Sequence, residues 1–265
     1  MSGFLKKPSH KVANLVSSLI YILLNIALAL AVIMIIDLFD SIWLAMALIV
    51  LSKWRVFAVK IRFWWANIMA NFVDFLVGVS YVSIVYLLGD AQLFAQLAIA
   101  GLYLIWLLLI KPATNCRMIV LQGLVAIFLT NTMLSTFGSN LAVSFFVLAE
   151  MLVGYHVMRH FLINCESDND SLRLISGIWA LIMAELAWVC WHWLIGYDIA
   201  WGLRLSQFSI ISTLMTFMAY KILNYANSES GGERQALKLD LVVSVIFVVI
   251  AILSMLLFFS KVQAV

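Results

Sequence analysis

Long apolar stretches, each closed by a few polar or turn-forming residues, follow one another along almost the whole chain. About 20 apolar residues cross a bilayer as a helix, within a working range of roughly 17–25. On that rule the segments fall at 12–36, 39–57, 65–88, 91–110, 118–137, 141–163, 174–195, 199–223 and 239–260. Turn chemistry separates them at Asp37 to Asp40, Gly89-Asp90, Phe137 to Asn140 and Gly196 to Asp198. Lys111-Pro112 closes the fourth segment, because proline has no amide hydrogen to continue a helix and restricts the residue before it. A membrane β-barrel needs apolar and polar residues in alternation. Leu241 to Phe259 is apolar except for Ser244 and Ser254, so the segments are helices. The pattern predicts an all-α polytopic bundle of about nine transmembrane helices, forming one transmembrane domain over residues 1–265.

Composition sharpens that reading. Hydrophobic residues make up 65% and charged residues 11%, with a mean hydropathy of +1.09. Soluble domains are roughly half apolar and about a quarter charged. Hydrocarbon, not water, is the expected solvent. Lys6, Lys7 and Lys11 followed by an apolar run imitate a signal peptide, and Ala27, Ala29 and Ala31 offer small-residue spacing. The run from Val12 to Ile36 outlasts the roughly 7–15 residues of a signal h-region, so it reads as a retained first helix.

Charge sets the orientation. The purely apolar part of the second segment, Ile42 to Leu51, is short, and it spans only if Lys53 and Arg55 snorkel to a membrane face. With nine crossings and the N-terminus inside, all of the 16 Lys and Arg except Arg204 and Lys261 fall at cytoplasmic positions. Basic loops stay in the cytoplasm, so the bias predicts an inside N-terminus, an outside C-terminus and a cytoplasmic (inner) membrane location. The net charge of +3 follows from this topology and gives no argument for nucleic acid. Between Lys53 and Trp65 basic residues edge two apolar faces, the pattern of helix ends with interfacial tryptophans rather than of a surface helix, with a basic lipid-headgroup site as the alternative. Cys116, Cys165 and Cys190 lack metal-ligand spacing. Two of them are expected in cytoplasmic loops as reduced thiols, and neither a disulfide nor zinc is expected.

Ionisable groups at membrane depth are costly and mark functional sites by default. In the third segment Asn67, Asn71, Asp74, Gly78 and Tyr81 keep to one helical stripe. They are expected to line a cavity in which Asp74 holds a cation or proton, or to glue helices by hydrogen bonds. Glu185 and His192 share a face in the seventh segment, and Arg204 in the eighth is expected to pair with Glu185. Glu150 and the pair His156/His160 lie on the sixth. Asp74, Glu150 and Glu185 are then three central carboxylates against one deep arginine, which leaves two acids for a histidine, a bound cation or a protonation cycle. The i, i+4 histidines have metal-ligand spacing without a third ligand, so neither a metal nor another cofactor is expected.

The stretch Ala184 to Leu194, AELAWVCWHWL, resembles a Glu-x-x-Trp pattern in multispanning proteins of bacteria with small genomes. The resemblance covers about two helices. It implies a bacterial inner-membrane protein and transfers no functional residue. The leading expectation is a transporter or permease component whose buried carboxylates handle protons, cations or a small-molecule substrate. The alternatives are a membrane enzyme acting on lipid or polyprenyl substrates at the cytoplasmic face through Glu150, His156, Arg159 and His160, and a non-catalytic scaffold with membrane-protein partners.

Overall fold

The computed structural model describes residues 10–89, 92–137, 142–165, 171–192, 196–198, 204–228 and 232–258. The helices in order are α1 His10–Phe39, α2 Ile42–Ser52, α3 Trp54–Phe57, α4 Trp64–Ala70, α5 Phe72–Leu88, α6 Leu93–Ile105, α7 Cys116–Phe137, α8 Val143–Cys165, α9 Leu172–His192, α10 Gln207–Ala226 and α11 Gly232–Phe258. A 3-10 turn, Ile61–Phe63, precedes α4, and a π-helical turn, Trp106–Ile110, continues α6. Strands β1 Gly196–Asp198 and β2 Arg204–Ser206 pair antiparallel between α9 and α10, with Gly196 opposite Ser206 and Asp198 opposite Arg204.

The all-α architecture stands, and the apolar faces require a membrane. Along α11 alone Leu239, Val243, Phe247 and Ile250 are all more than half exposed, a surface that water would not tolerate over such a length. Six described helices are long and apolar enough to cross a bilayer, seven if the bent pair 61–70 and 72–88 counts as one span. The difference from the expected nine lies in two elements. α2 has 11 residues, about 16 Å at 1.5 Å per residue, against a hydrocarbon core of about 30 Å. α10 has the length, at 20 residues, but carries Gln207, Ser209, Ser212, Thr213 and Thr216.

The third segment is not one helix. It breaks at Asn71, where α4 and α5 meet at 69°. Asn71 leaves helical geometry at φ −104°, ψ 11°, and its side chain donates to the Asn67 carbonyl at 2.9 Å, a local bond that competes with the backbone ladder. The eighth segment also departs from expectation. Helix begins only at Gln207, capped by the Ser206 hydroxyl, which accepts from Ser209 N at 3.2 Å, while Arg204 lies in β2. The side-chain depth assigned to Arg204 by helical rise therefore does not hold.

α7 and α8 occupy the centre, with half of each apolar window buried, compared with 22% for α1 and 11% for α11. Close approach is set by small residues, as is usual where helices meet in lipid. A Cβ on Gly123 of α7 would stand 2.2 Å from the Phe161 ring of α8, and one on Gly154 of α8 2.6 Å from Met183 of α9. Polar side chains tie the rods together: Tyr81 Oη donates to the Ala29 carbonyl at 2.8 Å, Tyr21 Oη to the Leu107 carbonyl at 3.1 Å, and the Ser80 and Thr130 hydroxyls lie 3.2 Å apart.

Candidate functional site

Breaking the third segment at Asn71 makes Asp74 a first-turn residue of α5, where the helix dipole favours an anion. Ending α2 at Ser52 makes Lys53 its C-cap, where the dipole favours a cation. α2 packs beside α5 because Gly78 presents no side chain: a Cβ there would lie 2.8 Å from Ile49 Cγ2. The two charges meet in consequence. Lys53 Nζ bonds Asp74 Oδ2, and Lys111 Nζ lies 2.8 Å from the same oxygen. Trp106 Nε1 donates to Asp74 Oδ1 at 3.3 Å. Lys53 is 7% exposed and Asp74 9%, while the Lys111 side chain is 39% exposed. Two ammonium groups on one carboxylate leave a formal surplus of one positive charge, and of the three side chains only Lys111 is substantially exposed.

Lys111 is held from behind. Gln122 of α7 donates to the carbonyls of Ile110 at 2.7 Å, Ala113 at 3.0 Å and Lys111 at 3.3 Å, capping the end that Pro112 leaves open. His160 Nε2 lies 3.1 Å from Gln122 Oε1, so α8 steadies the cap.

The other expected site residues disperse. Asn67 donates to the Val56 carbonyl at 3.2 Å and Asn71 to Asn67, so both shape the 53–71 connection, and Tyr81 bonds α1. His156 is buried against Phe72, with ring centroids 4.0 Å apart and Nδ1 without a partner, while His160 faces Gln122. Among the described residues no group of three or more His, Cys, Asp or Glu is placed to hold a metal. His192 contacts the carbonyl of Trp188 on its own helix. Glu185 is exposed on the flank of α9. Its expected partner, the Arg204 side chain, lies outside the described residues.

Glu150 is fully buried, and the Asn131 amide, oriented with its nitrogen toward the carboxylate, donates to it at 2.9 Å and accepts from Ser212 at 2.6 Å. No ion pair among the described residues reaches it. The three carboxylates therefore sit in three environments: paired with lysines, bonded to an amide, and exposed. The surplus of unpaired central acids is corrected for Asp74: one of its cations, Lys53, is expected from the sequence to snorkel to a membrane face, and the other, Lys111, to close the fourth segment.

Beside the charged cluster, α5, α6 and α7 enclose a cavity of about 220 Å³. Val77, Tyr81, Ile99, Tyr103, Trp106 and Val125 line it. Tyr103 stacks on Tyr81 with centroids 4.2 Å apart, and its buried hydroxyl has no hydrogen-bond partner.

The cysteine expectation is also corrected. Cys116 in the first turn of α7 and Cys165 at the end of α8 are joined as a disulfide, with Cα atoms 5.2 Å apart. A separation of 49 residues carried no sequence signal, and antiparallel packing of the two helices creates the pairing. Cys190 is free.

No protein-family model, curated protein or solved structure matches the chain. The cluster therefore has to be read from its own chemistry. Of its missed members, Lys53, Trp106 and Lys111, the two lysines carry one usable signal in the sequence: each stands at the end of an apolar run.

Proposed function

We propose that the protein is a permease-like component of the cytoplasmic membrane that binds an anionic group at Lys53, Asp74 and Lys111 on its basic face. The observation that carries this reading is the convergence of two lysines on one carboxylate. Asp74 already has two cations and an indole N–H, which leaves a further cation little to gain there, whereas the half-exposed Lys111 keeps ammonium hydrogens for an incoming anion. Orientation follows from the basic bias, with the N-terminus inside, the C-terminus outside, and nine crossings completed by α10 and by the stretch 42–57, in which α3 extends the 11-residue α2. Asp74 then lies 14 residues, about 21 Å of helix, from Leu88, some two-thirds of the way across a core of about 30 Å. On this orientation the cluster lies about 9 Å inside the cytoplasmic face of the core.

The test is the melting temperature of the purified protein titrated with inorganic phosphate against chloride at equal ionic strength. Binding to the folded state raises it by mass action. Phosphate is expected to stabilise the native protein and not the Lys111→Gln variant. Stabilisation by sodium or potassium ions instead, lost in Asp74→Asn, would overturn the reading in favour of a cation site.

A second role belongs to Glu150. A fully buried carboxylate held by one amide, with no cation among the described residues, suits a proton carried through the centre of the bundle. If substrate movement is proton-linked, Glu150→Gln keeps the fold and removes the dependence of uptake on a proton gradient. Unchanged coupling in that variant rules the role out.

A further inference from the structure

We infer that the cavity between α5, α6 and α7 holds the end of an apolar chain whose anionic head sits at Lys111, so that the ligand is an anionic lipid. This rests on the anion reading of the cluster and names its substrate class. Two residues belong to both places. Trp106 lines the cavity with its ring and donates its indole N–H to Asp74, and Ile110 lines the cavity directly before Lys111. Tyr103 forms the partition. Its ring faces the cavity, while its hydroxyl and the Lys53 stem both come within 4 Å of the point where a Cβ on Gly78 would stand. That hydroxyl is buried and unpartnered, a costly state unless something accepts its hydrogen.

The dimensions fit part of a chain and exclude a whole lipid. A cavity of about 150 Å³ holds benzene; in proportion, 220 Å³ holds roughly nine carbons. The opening faces the bilayer, since Leu102 and Ile105 at its rim are 62% and 47% exposed on α6. A chain can therefore enter sideways from the membrane while its head stays at the basic face. The surplus positive charge selects an anionic head over a zwitterionic one.

The experiment measures lipid retention by the purified full chain in detergent, using native mass spectrometry. The probes are dioleoyl phosphatidylglycerol, dioleoyl phosphatidylcholine and, as a head without a chain, glycerol phosphate followed by thermal shift. The expected result is at least tenfold higher occupancy by phosphatidylglycerol than by phosphatidylcholine. Val125→Phe, and independently Ile99→Phe, fill the cavity and lower that occupancy tenfold while leaving the glycerol phosphate shift intact. Lys111→Gln lowers both. Equal retention of the two lipids, or phosphatidylglycerol retention indifferent to both cavity-filling variants, identifies annular lipid only and overturns the chain slot. If glycerol phosphate still stabilises the protein in that event, the anion site stands without the slot. If glycerol phosphate also has no effect, both readings fall.

Discussion

Trp106 and Lys111 stand five residues apart and meet on one carboxylate, the indole N–H at 3.3 Å from Oδ1 of Asp74 and the ammonium at 2.8 Å from Oδ2. In an α-helix of 3.6 residues per turn, positions five apart point about 140° away from each other. The π turn removes that divergence: Lys111 N bonds the Trp106 carbonyl at 2.8 Å, five residues back. Such turns are rare and concentrate at functional sites.

Deleting the exposed Leu109 should convert this turn to regular helix, with Lys111 then four residues after Trp106 and only about 40° from it around the axis. The variant is expected to fold, since Trp106 and the Gln122 cap flank the deletion, and to keep the phosphate-dependent rise in melting temperature. Loss of the rise would show that the extra residue of the π turn is itself needed to hold Lys111 on the carboxylate.

Asp74→Asn leaves Lys53 buried without its counter-charge. Removing one partner of a buried pair costs about 3–5 kcal/mol, so the variant is expected to melt markedly earlier. Adding Lys53→Met should restore much of that loss, because the apolar stem still packs by Ile49 and Gly78 while the stranded charge is gone. Thermal melts of the single and double variants in the same detergent decide it. A double variant no more stable than Asp74→Asn would mean that the lysine was not strained by its isolation.

The bundle was legible because lipid imposes length and apolarity on every crossing, and the segment borders at Lys111-Pro112 and Gly89 fall where helices end. The failures share a cause: a period of 3.6 residues was carried across places where the backbone leaves the α-helix. Asn67 to Tyr81 reads as one stripe only if the helix continues through Asn71, and the break there leaves Asn67 in the short α4, bonded to the Val56 carbonyl, and Asp74 at a helix start. Helical rise gives Arg204 a depth only if the helix includes it, and the helix begins at Gln207. A lysine ending an apolar run usually snorkels to water, which is the expectation that Lys53 defeats. Its burial follows from α2 stopping at 11 residues, which places its end beside Asp74 instead of at the membrane face.

Cys116 and Cys165 test the orientation. The structure closes Cys116 with Cys165, whereas a cytoplasmic basic face meets a reducing compartment and keeps the pair open in cells. Acid-quenched cells treated with a thiol-reactive polyethylene glycol maleimide should then show all three cysteines tagged, and only Cys190 after oxidation of purified protein. Closing a loop of 49 residues constrains the unfolded chain by up to about 4 kcal/mol on the chain-entropy account, so oxidation should raise the melting temperature of the native protein and not of Cys165→Ser. A pair already closed in quenched cells would put the basic face on the oxidising side and overturn the proposed orientation.

Asn131 has a heavier duty than its size suggests. It links three helices, reaching Glu150 on α8 and Ser212 on α10 from its place on α7, and it holds the only described side-chain bonds to that carboxylate. Asn131→Leu keeps the volume and removes the amide, leaving a fully buried acid without a donor. The cost of such an orphaned group is about 1–3 kcal/mol. Glu150→Gln keeps a partner for the Asn131 amide through its own carbonyl, so it should lie within about 1 kcal/mol of the native protein, near the net value of one hydrogen bond. Combining Asn131→Leu with Glu150→Leu removes both halves of the pair, and the double variant should be more stable than Asn131→Leu alone. Melting curves of the four proteins make the comparison. If Asn131→Leu is as stable as the native protein, the amide does not support Glu150, and a water or another group must stand in its place.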